Sequence, residues 1–141
     1  MKNILIVCTG NTCRSPMAEG VLNKLIKDNK LEDISVLSMG ISAFDGEGAT
    51  FNAVEALKEI GVDISKHQSK RVMLSDIYDA DVIYVMTKEH KEILINACKD
   101  CESKIKVIEV KDPFGQDLEI YRQARDTFTD YFKEEFNVDG K

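Results

Sequence analysis

The sequence contains no apolar run long enough to span a lipid bilayer, so no membrane-spanning helix is expected. The first apolar run, residues 4–7, is also too short for the core of a signal peptide, and none is expected. Internal repeats, low-complexity tracts and linker-like stretches are likewise missing. The 141 residues are therefore predicted to form one domain, residues 1–141, with a core of its own.

An excess of positive charge is also missing, because 19 lysine and arginine residues stand against 25 aspartate and glutamate residues. The net charge of −6 argues against binding to nucleic acid, whose phosphate backbone would repel such a surface. Neither the Gly-Lys-Ser/Thr of a Walker loop nor a Gly-x-Gly-x-x-Gly motif is present, which disfavours a nucleotide-binding protein. The chain has only four cysteines, and we expect them to be reduced in a cytoplasmic protein.

Apolar runs typical of buried strands alternate with apolar residues at helical spacing. The predicted strands are residues 4–7, 34–38, 82–86 and 105–108. The predicted helices lie around residues 15–25, 51–60, 90–97 and 121–132. This alternation predicts the α/β class, as a three-layer doubly wound fold with a four-stranded parallel sheet and helices on both faces.

The segment that directly follows the first predicted strand, residues 8–15, has the sequence Cys-Thr-Gly-Asn-Thr-Cys-Arg-Ser. Ligands of parallel α/β sheets bind beyond the carboxyl ends of the strands, which is where this segment lies. Gly10 and Asn11 adopt left-handed backbone conformations at low cost, so the segment is predicted to curl with its N–H groups pointing inward. Ser15 is predicted to cap a helix whose first turn contains Pro16. Such a nest at a helix N-terminus binds a dianionic phosphate.

Cys8 is the candidate nucleophile, because a thiolate at the centre of this nest can attack phosphorus. We expect the backbone amides, the helix dipole and Arg14 to lower the pKa of the Cys8 thiol, and Ser15 to donate a hydrogen bond to the sulfur. The candidate phosphate-binding residues are Thr9, Gly10, Asn11, Thr12, Cys13, Arg14 and Ser15. The expected reaction passes through a phosphocysteine that water hydrolyses, without a metal or cofactor. The alternative is an inert cysteine in an ordinary strand–turn–helix.

Asp112, in the run Lys-Asp-Pro-Phe-Gly, is the candidate proton donor to the leaving group. The following proline favours an extended conformation of the acid, and Phe114 is expected to form an apolar wall that limits access of water. The same residues suit an ordinary turn, and from this pattern alone both interpretations stay open. Residues 42–50 and 110–117 are the predicted walls of the site.

Together, residues 7–19 and the Asp-Pro-Phe of residues 112–114 resemble the low-molecular-weight protein tyrosine phosphatase family. The similarity covers nearly the whole chain and includes residues 38–40, 63–67, 81–86 and 112–126. It implies that Cys8 is the nucleophile, that Arg14 and the loop backbone bind phosphate, and that Asp112 is the general acid.

The resemblance also implies that Asn11, Ser38 and His67 form a hydrogen-bonded support for the strained turn of the loop. His67 alone would be interpreted as an ordinary surface or core histidine. The chain departs from the family at Phe51, where many members have proline, and at Phe114, which replaces the commoner tyrosine. Neither departure removes the nucleophile or the acid.

Thr12 is the candidate specificity residue, with Asp112 and Phe114 beside it. Many tyrosine phosphatases of the family have an aliphatic residue here, whereas the bacterial protein arginine phosphatase branch resembles this chain in the run Cys-Thr-Gly-Asn-Thr-Cys-Arg-Ser. A hydroxyl can pair with a guanidinium N–H that an apolar wall would leave unpaired. We therefore predict phosphoarginine in proteins as the substrate. The alternatives are phosphotyrosine as the substrate and a Thr12 that merely packs in the loop.

The other cysteines allow several interpretations. Cys13 lies five residues after Cys8, which permits a protective disulfide between them, and simple packing behind the loop is equally compatible. Cys98 and Cys101 are interpreted as incidental surface cysteines, since a zinc knuckle would need a second ligand pair. A redox role for this pair would favour the related arsenate reductases, a more distant alternative whose resolving cysteines are spaced more widely.

The expected partners are phosphorylated proteins, with no nucleic acid and no membrane among them. A catalytically inactive binding module on the same fold is disfavoured, because Cys8, Arg14 and Asp112 are all present. These motifs define neither the individual protein substrates nor an oligomeric state.

Overall fold

A computed structural model describes residues 2–138, so Met1 and residues 139–141 of the predicted domain lie outside the described residues. Within this range the strands are β1 (Lys2–Cys8), β2 (Ile34–Gly40), β3 (Val82–Val85) and β4 (Ile105–Val107). The α-helices are α1 (Arg14–Asp28), α2 (Phe51–Lys58), α3 (Leu74–Asp79), α4 (Lys88–Ala97) and α5 (Leu118–Glu135). A 3-10 helix, Lys99–Lys104, connects α4 to β4.

The strands form one parallel sheet in the order β2-β1-β3-β4, which confirms the predicted doubly wound α/β fold. The chain leaves β1 on one side to form β2 and returns on the other side to form β3. The carboxyl end of β1 is therefore a topological switch point, where ligands of such folds bind. The register pairs Cys8 with Gly40, so the loop after β1 lies beside the end of β2.

Two apolar cores lie on opposite faces of the sheet, because successive side chains of a strand point to opposite sides. Ile4, Ile6 and Cys8 face the core that is shared with α1, α2 and α5. Leu5 and Val7 face the core that is shared with α3 and α4. Among residues 2–138, no helix is both long and apolar enough to cross a bilayer.

The sequence pattern misses two helical segments, α3 and the 3-10 helix. Each has only six residues, which is too short for the repeated apolar spacing that identifies a helix in a sequence. Both lie on the face of the sheet that carries α4. Their presence alters the connections between strands and leaves the predicted architecture unchanged.

Cys98 and Cys101 are not the incidental surface cysteines that the sequence predicts. They are 1% and 3% exposed, pack in the core below α3 and α4, and are joined by a disulfide. The expectation that all four cysteines are reduced is therefore wrong for this pair, whereas Cys8 and Cys13 are free thiols. The sequence gives no signal of this burial, because α4 ends at Ala97 and its apolar spacing does not continue through the pair.

Candidate active site

Residues 9–13 form the loop between β1 and α1, and one residue provides its turn. Asn11 has a φ of 57°, in the left-handed region, as predicted. Gly10 does not share this conformation, and a side chain there would make only ordinary contact with Thr12, at 3.8 Å. The asparagine, rather than the glycine, therefore carries the strained backbone of the loop.

The helix α1 begins at Arg14, with Cys13 in the N-cap position and no side-chain cap. The predicted N-cap role of Ser15 is therefore wrong, since Ser15 is the second residue of the helix. Its hydroxyl lies 2.9 Å from the Cys8 sulfur instead. Pro16 lies in the first turn, as predicted, where its missing N–H costs no helical hydrogen bond.

Cys8 ends β1 and is 2% exposed. The Ser15 hydroxyl lies at hydrogen-bond distance from its sulfur, and the Asn11 backbone N–H donates to the sulfur at 3.3 Å. Burial raises the pKa of the Cys8 thiol, while hydrogen bonds from Ser15 and Asn11 and the charge of Arg14 lower it. Burial is the largest of these influences, so the pKa lies above its ordinary value.

This direction corrects the expectation that the pKa of the Cys8 thiol is lowered. The sequence identifies the groups that stabilise the thiolate, namely Ser15, Asn11 and Arg14, and each acts in the predicted direction. It does not reveal how completely the packing of β1 against α1 removes the sulfur from water. Because desolvation penalises the charged form, the thiolate at this site depends on each of those groups.

Arg14 is buried at the start of α1, with its guanidinium held from two directions. One terminal nitrogen, Nη1, donates to the Val110 carbonyl at 2.9 Å, and the other, Nη2, donates to the Thr9 hydroxyl at 3.4 Å. Val110 lies two residues before Asp112, the predicted acid, and Thr9 directly follows Cys8, the predicted nucleophile. The guanidinium therefore connects both sides of the site and presents a planar donor group there.

Asn11 is fully buried and is the centre of the predicted support. Its side-chain Nδ2 donates to Ser15 Oγ at 2.7 Å and to Ser38 Oγ at 3.0 Å. Its carbonyl Oδ1 accepts from the Lys70 backbone N–H at 2.9 Å. His67 Nε2 donates to the backbone carbonyl of Asn11 at 2.8 Å. Asn11, Ser38 and His67 are thus brought together, as the family resemblance implied.

The support extends one residue beyond the prediction, to Glu19 on α1. Ser38 accepts from Asn11, and its own hydroxyl donates to the Glu19 carboxylate at 2.5 Å. Burial raises the pKa of Glu19, and the hydrogen bond from Ser38 opposes that shift. Since the donors of Asn11 are committed to the two serines, the Ser15 proton remains available to the Cys8 sulfur.

A pocket of about 210 Å³ opens above the loop. Its lining residues are Cys8, Thr9, Gly10, Thr12, Cys13, Arg14, Asp112 and Phe114. Asp112 is exposed at the rim of the pocket, and its carboxylate accepts from the Phe114 backbone N–H at 3.0 Å. The segment therefore forms a turn and also contributes to the pocket, so the two interpretations do not exclude each other. Phe114 is 65% exposed, and the expected exclusion of water from Asp112 is therefore limited. Residues 110–117 supply part of the wall, whereas residues 42–50 flank the loop without lining the pocket.

Thr12 and Cys13 occupy different positions relative to this pocket. Thr12 is partly exposed on the pocket wall, where a substrate side chain would pass. Cys13 is buried, with its sulfur 3.4 Å from the Thr50 hydroxyl and 3.5 Å from the Tyr121 hydroxyl. Burial and the neighbouring Cys13 raise the pKa of Tyr121 to about 12, so its phenol stays protonated. The contacts of Cys13 favour the interpretation that it packs behind the loop, and a disulfide between Cys13 and Cys8 stays a prediction.

Besides Lys70, the sequence patterns do not identify Gly40, His90 and Tyr121, which also contact the loop. Gly40, at the end of β2, lies so close that an added Cβ would be 2.6 Å from the Thr9 carbonyl oxygen. His90, on α4, reaches the Thr9 hydroxyl, and Tyr121, on α5, reaches Cys13. A glycine after a strand is a weak signal of close approach, but nothing local marks the other two, which lie 81 and 108 residues away from their partners.

Comparison with known proteins places these features in a family. Residues 3–134 match the family described as low molecular weight phosphotyrosine protein phosphatase. A protein-arginine-phosphatase of Geobacillus stearothermophilus is 35% identical over 132 residues, covering 87% of this chain and 86% of the relative. An arsenate reductase of Staphylococcus epidermidis is 33% identical and covers 89% of this chain and 88% of its own length.

A solved structure of the YwlE arginine phosphatase has the same fold as this chain. It is 32% identical, covers 96% of this chain and 93% of its own, and superposes with a TM-score of 0.90. That structure is a cysteine-to-serine mutant with a phosphorylated active-site serine.

Proposed function

Because the chain belongs to the low molecular weight phosphotyrosine protein phosphatase family, we propose that it removes phosphate from phosphoarginine in proteins through a phosphocysteine at Cys8. The observation that carries the proposal is the pocket in which the Cys8 thiol, the Arg14 guanidinium and the Asp112 carboxyl meet beside Thr12. The phosphorylated active-site serine of the related arginine phosphatase supports covalent catalysis at the equivalent position. Arginine specificity is supported by the relatives of that name, which this chain matches over most of its length.

In the first step, Cys8 loses its proton to water and the thiolate attacks phosphorus. A sulfur–phosphorus bond forms, the phosphorus–nitrogen bond of phosphoarginine breaks, and Asp112 gives its proton to the departing guanidine nitrogen. The loop N–H groups and Arg14 stabilise the charge on the equatorial oxygens. The Asn11 network keeps those donors in place, so little reorganisation is needed when charge develops.

In the second step, Asp112 accepts a proton from water as the water oxygen attacks the phosphocysteine. The sulfur–phosphorus bond breaks, inorganic phosphate is formed, and the electron pair returns to the Cys8 sulfur. The Ser15 hydroxyl, 2.9 Å away, stabilises this leaving thiolate by donating a hydrogen bond. Asp112 ends the cycle protonated, as it began.

Thr12 supports selection of arginine over tyrosine. Thr12 lines the pocket, and its hydroxyl is chemically able to accept a hydrogen bond from a guanidinium N–H. A valine there would keep the shape and leave that donor without a partner, at a cost of about 1–3 kcal/mol. The planar aromatic ring of phosphotyrosine offers no such donor, so it gains nothing from the threonine.

The test compares phosphate release by the reduced protein from a phosphoarginine peptide and a phosphotyrosine peptide. We expect a preference for phosphoarginine that disappears completely in Cys8→Ser. Thr12→Val is expected to reduce kcat/KM for phosphoarginine by roughly tenfold to a hundredfold, while phosphotyrosine turnover is unchanged or higher. Thr12→Ser, which keeps the hydroxyl, is the matched control and should retain the preference. A wild-type preference for phosphotyrosine would refute arginine specificity.

Arsenate reduction is less well supported by the arrangement of cysteines. A reductase needs further thiols to resolve an oxidised intermediate on the nucleophile. Cys98 and Cys101 lie in the core on the opposite face of the sheet from Cys8, and they are paired with each other. Reduction of arsenate by the protein with a thiol reductant would favour this alternative.

The proposal also defines partners and a place of action. The partners are phosphorylated proteins, whose side chains reach Cys8 through a pocket at the surface. The proposed site of action is the cytoplasm, because the proposed reaction needs a free Cys8 thiol, which a reducing compartment maintains, and because the Cys98–Cys101 disulfide is buried away from reductants in solution.

A further inference from the structure

His90 is a buried, titratable residue to which the proposed mechanism gives no role. It is the third residue of α4 and is only 6% exposed. The other buried residue of this helix, Leu94, packs in the core that is shared with α3. Its backbone N–H is capped by the Thr87 hydroxyl at 3.0 Å. A buried imidazole must satisfy both ring nitrogens, and the identity of its partners shows what it is used for.

The two ring nitrogens of His90 have different partners. The Met86 backbone N–H donates to Nδ1 at 3.3 Å, so Nδ1 is the unprotonated acceptor. The ring proton of the neutral imidazole must then lie on Nε2, which is 2.9 Å from the Thr9 hydroxyl oxygen. His90 therefore donates to Thr9, and its tautomer is fixed by the backbone of the segment that precedes α4.

Thr9 receives a second donor from the active site. Arg14 Nη2 donates to the same hydroxyl oxygen at 3.4 Å. A hydroxyl oxygen has two acceptor positions and one proton, so these two donors occupy both positions. The Thr9 proton therefore points away from His90 and Arg14. Thr9 also lines the pocket, as do Gly10 and Arg14.

Burial, together with the charge of Arg14, keeps His90 neutral. Burial and the nearby Arg14 guanidinium lower the pKa of His90 to about 4, and Asp112 opposes this shift. A second proton would also place an Nδ1–H against the Met86 N–H. At neutral pH the ring thus acts as a single donor of fixed direction beside a permanent cation.

We propose that His90 is a positioning residue that acts through Thr9, holding its hydroxyl as a donor to the phosphoryl group and steadying the Arg14 guanidinium. This inference rests on the proposed function, because it assigns a role within the same phosphate site. Thr9 becomes a side-chain donor in a ring otherwise made of backbone N–H groups and one guanidinium. The Val110 carbonyl and the His90–Thr9 pair then fix the two ends of Arg14.

Two substitutions of His90 differ in whether they keep the hydrogen bond to the Thr9 hydroxyl. Glutamine places an amide N–H at about the reach of Nε2 and keeps a donor to Thr9, whereas asparagine reaches only as far as Nδ1 and loses it. We expect His90→Asn to lower kcat/KM on the phosphoarginine peptide about tenfold, and His90→Gln to retain most of it. Equal losses in both variants, with equal losses of melting temperature, would show a purely structural histidine and overturn the proposal.

Thr9→Val provides the second arm, because it removes the hydroxyl and keeps the side-chain shape. We expect it to match His90→Asn, and the double variant to be no worse than either single variant, since both remove the same interaction. Losses that multiply in the double variant would refute action through Thr9. If His90→Asn unfolds, His90→Met, which fills a similar volume and has no hydrogen-bond donor, takes its place in the double variant.

A binding measurement keeps this inference distinct from the proposed function. Inorganic phosphate should protect Cys8 from alkylation by iodoacetamide, and His90→Asn and Thr9→Val should each raise the half-protecting concentration several-fold. If the wild type hydrolyses neither peptide but shows this pattern, the proposed function fails and the role of His90 stands. If protection is the same in wild type and both variants, the role of His90 fails whatever the turnover.

Discussion

At the scale of single residues, the direction of each hydrogen bond around Cys8 has chemical meaning. Ser15 Oγ accepts from the Asn11 side chain at 2.7 Å, and the nearer acceptor for its own proton is the Cys8 sulfur at 2.9 Å rather than the Met39 carbonyl at 3.5 Å. The same interaction lowers the pKa of a thiol that burial raises. Ser15 is therefore one of the groups that set how much thiolate is present at a given pH.

We predict that Ser15→Ala moves the acid limb of the pH profile of kcat/KM to higher pH by about one to two units. The reason is that a lost hydrogen bond to a charged group costs about 1.5–3 kcal/mol, and one pKa unit corresponds to about 1.4 kcal/mol. The rate of Cys8 alkylation by iodoacetamide across pH should show the same displacement. Ser42→Ala, an exposed serine of the next loop, is the control. An unchanged acid limb would contradict the role of Ser15.

The sequence predicts that Cys8, Arg14 and Ser15 lie close together, and the structure confirms this, because the three residues belong to one short segment and their spacing is local. It predicts the direction of the Cys8 pKa wrongly, since burial depends on how β1 and α1 pack. His90 could not be predicted as part of the site at all, because its contact with Thr9 depends on the relative placement of β1 and α4.

At the scale of elements, the end of β2 restricts the shape of the loop after β1. Gly40 pairs with Cys8, and an added Cβ would be 2.6 Å from the Thr9 carbonyl oxygen and 3.0 Å from the Asn11 backbone nitrogen. Both atoms belong to the backbone, so neither can rotate away as a side chain could. The glycine is required for close approach of two strand ends, and not for a left-handed conformation.

We predict that Gly40→Ala lowers kcat/KM by at least about tenfold, because a displacement of the loop by a fraction of an ångström misplaces its donors. Overpacking should also destabilise the fold by about 1–3 kcal/mol, measured by denaturant unfolding. Gly48→Ala is the matched control, since an added Cβ there meets nothing within 4 Å. Wild-type activity in Gly40→Ala would show that the loop tolerates the shift.

The elements differ in how readily the sequence reveals them. The strands β1 and β3 and the long helices have continuous or strongly periodic apolar patterns, and all were predicted. The helix α3 has one buried residue, Ile77, which is too little to form a pattern. The burial of Cys98 and Cys101 could not be predicted from the sequence for a related reason, since these residues lie where the helical spacing of α4 has ended.

At the scale of the whole molecule, α2 and α5 are joined by a group of charges remote from the site. Glu59, at the end of α2, accepts hydrogen bonds from Arg122 and Arg125 of α5. These two arginines lower the pKa of Glu59 to about 2. A carboxyl whose pKa is lower in the folded protein stabilises it fully above the unfolded value of 4.5, and loses that effect as pH falls towards 2.

We predict that Glu59→Gln lowers the melting temperature slightly at pH 7, because the ion pairs are exposed and solvent screens them. The difference from wild type should shrink between pH 4.5 and pH 2, as the wild-type carboxyl becomes protonated. The control is Glu134→Gln, which changes an exposed acid on α5, the helix that carries Arg122 and Arg125. A difference that stays constant over this pH range would mean that charge is not its cause.

The contacts of Asn11 determine whether the loop of residues 9–13 could keep its conformation in another protein. The loop itself spans a few residues, yet Asn11 needs Ser38, His67 and the backbone of Lys70 in order to hold its conformation. Arg14 likewise needs the Val110 carbonyl. If the loop were transferred to another strand–helix junction, Cys8 would be transferred without the groups that hold the loop around it. The smallest unit that could be transferred with its chemistry intact therefore reaches from β1 to the segment after β4.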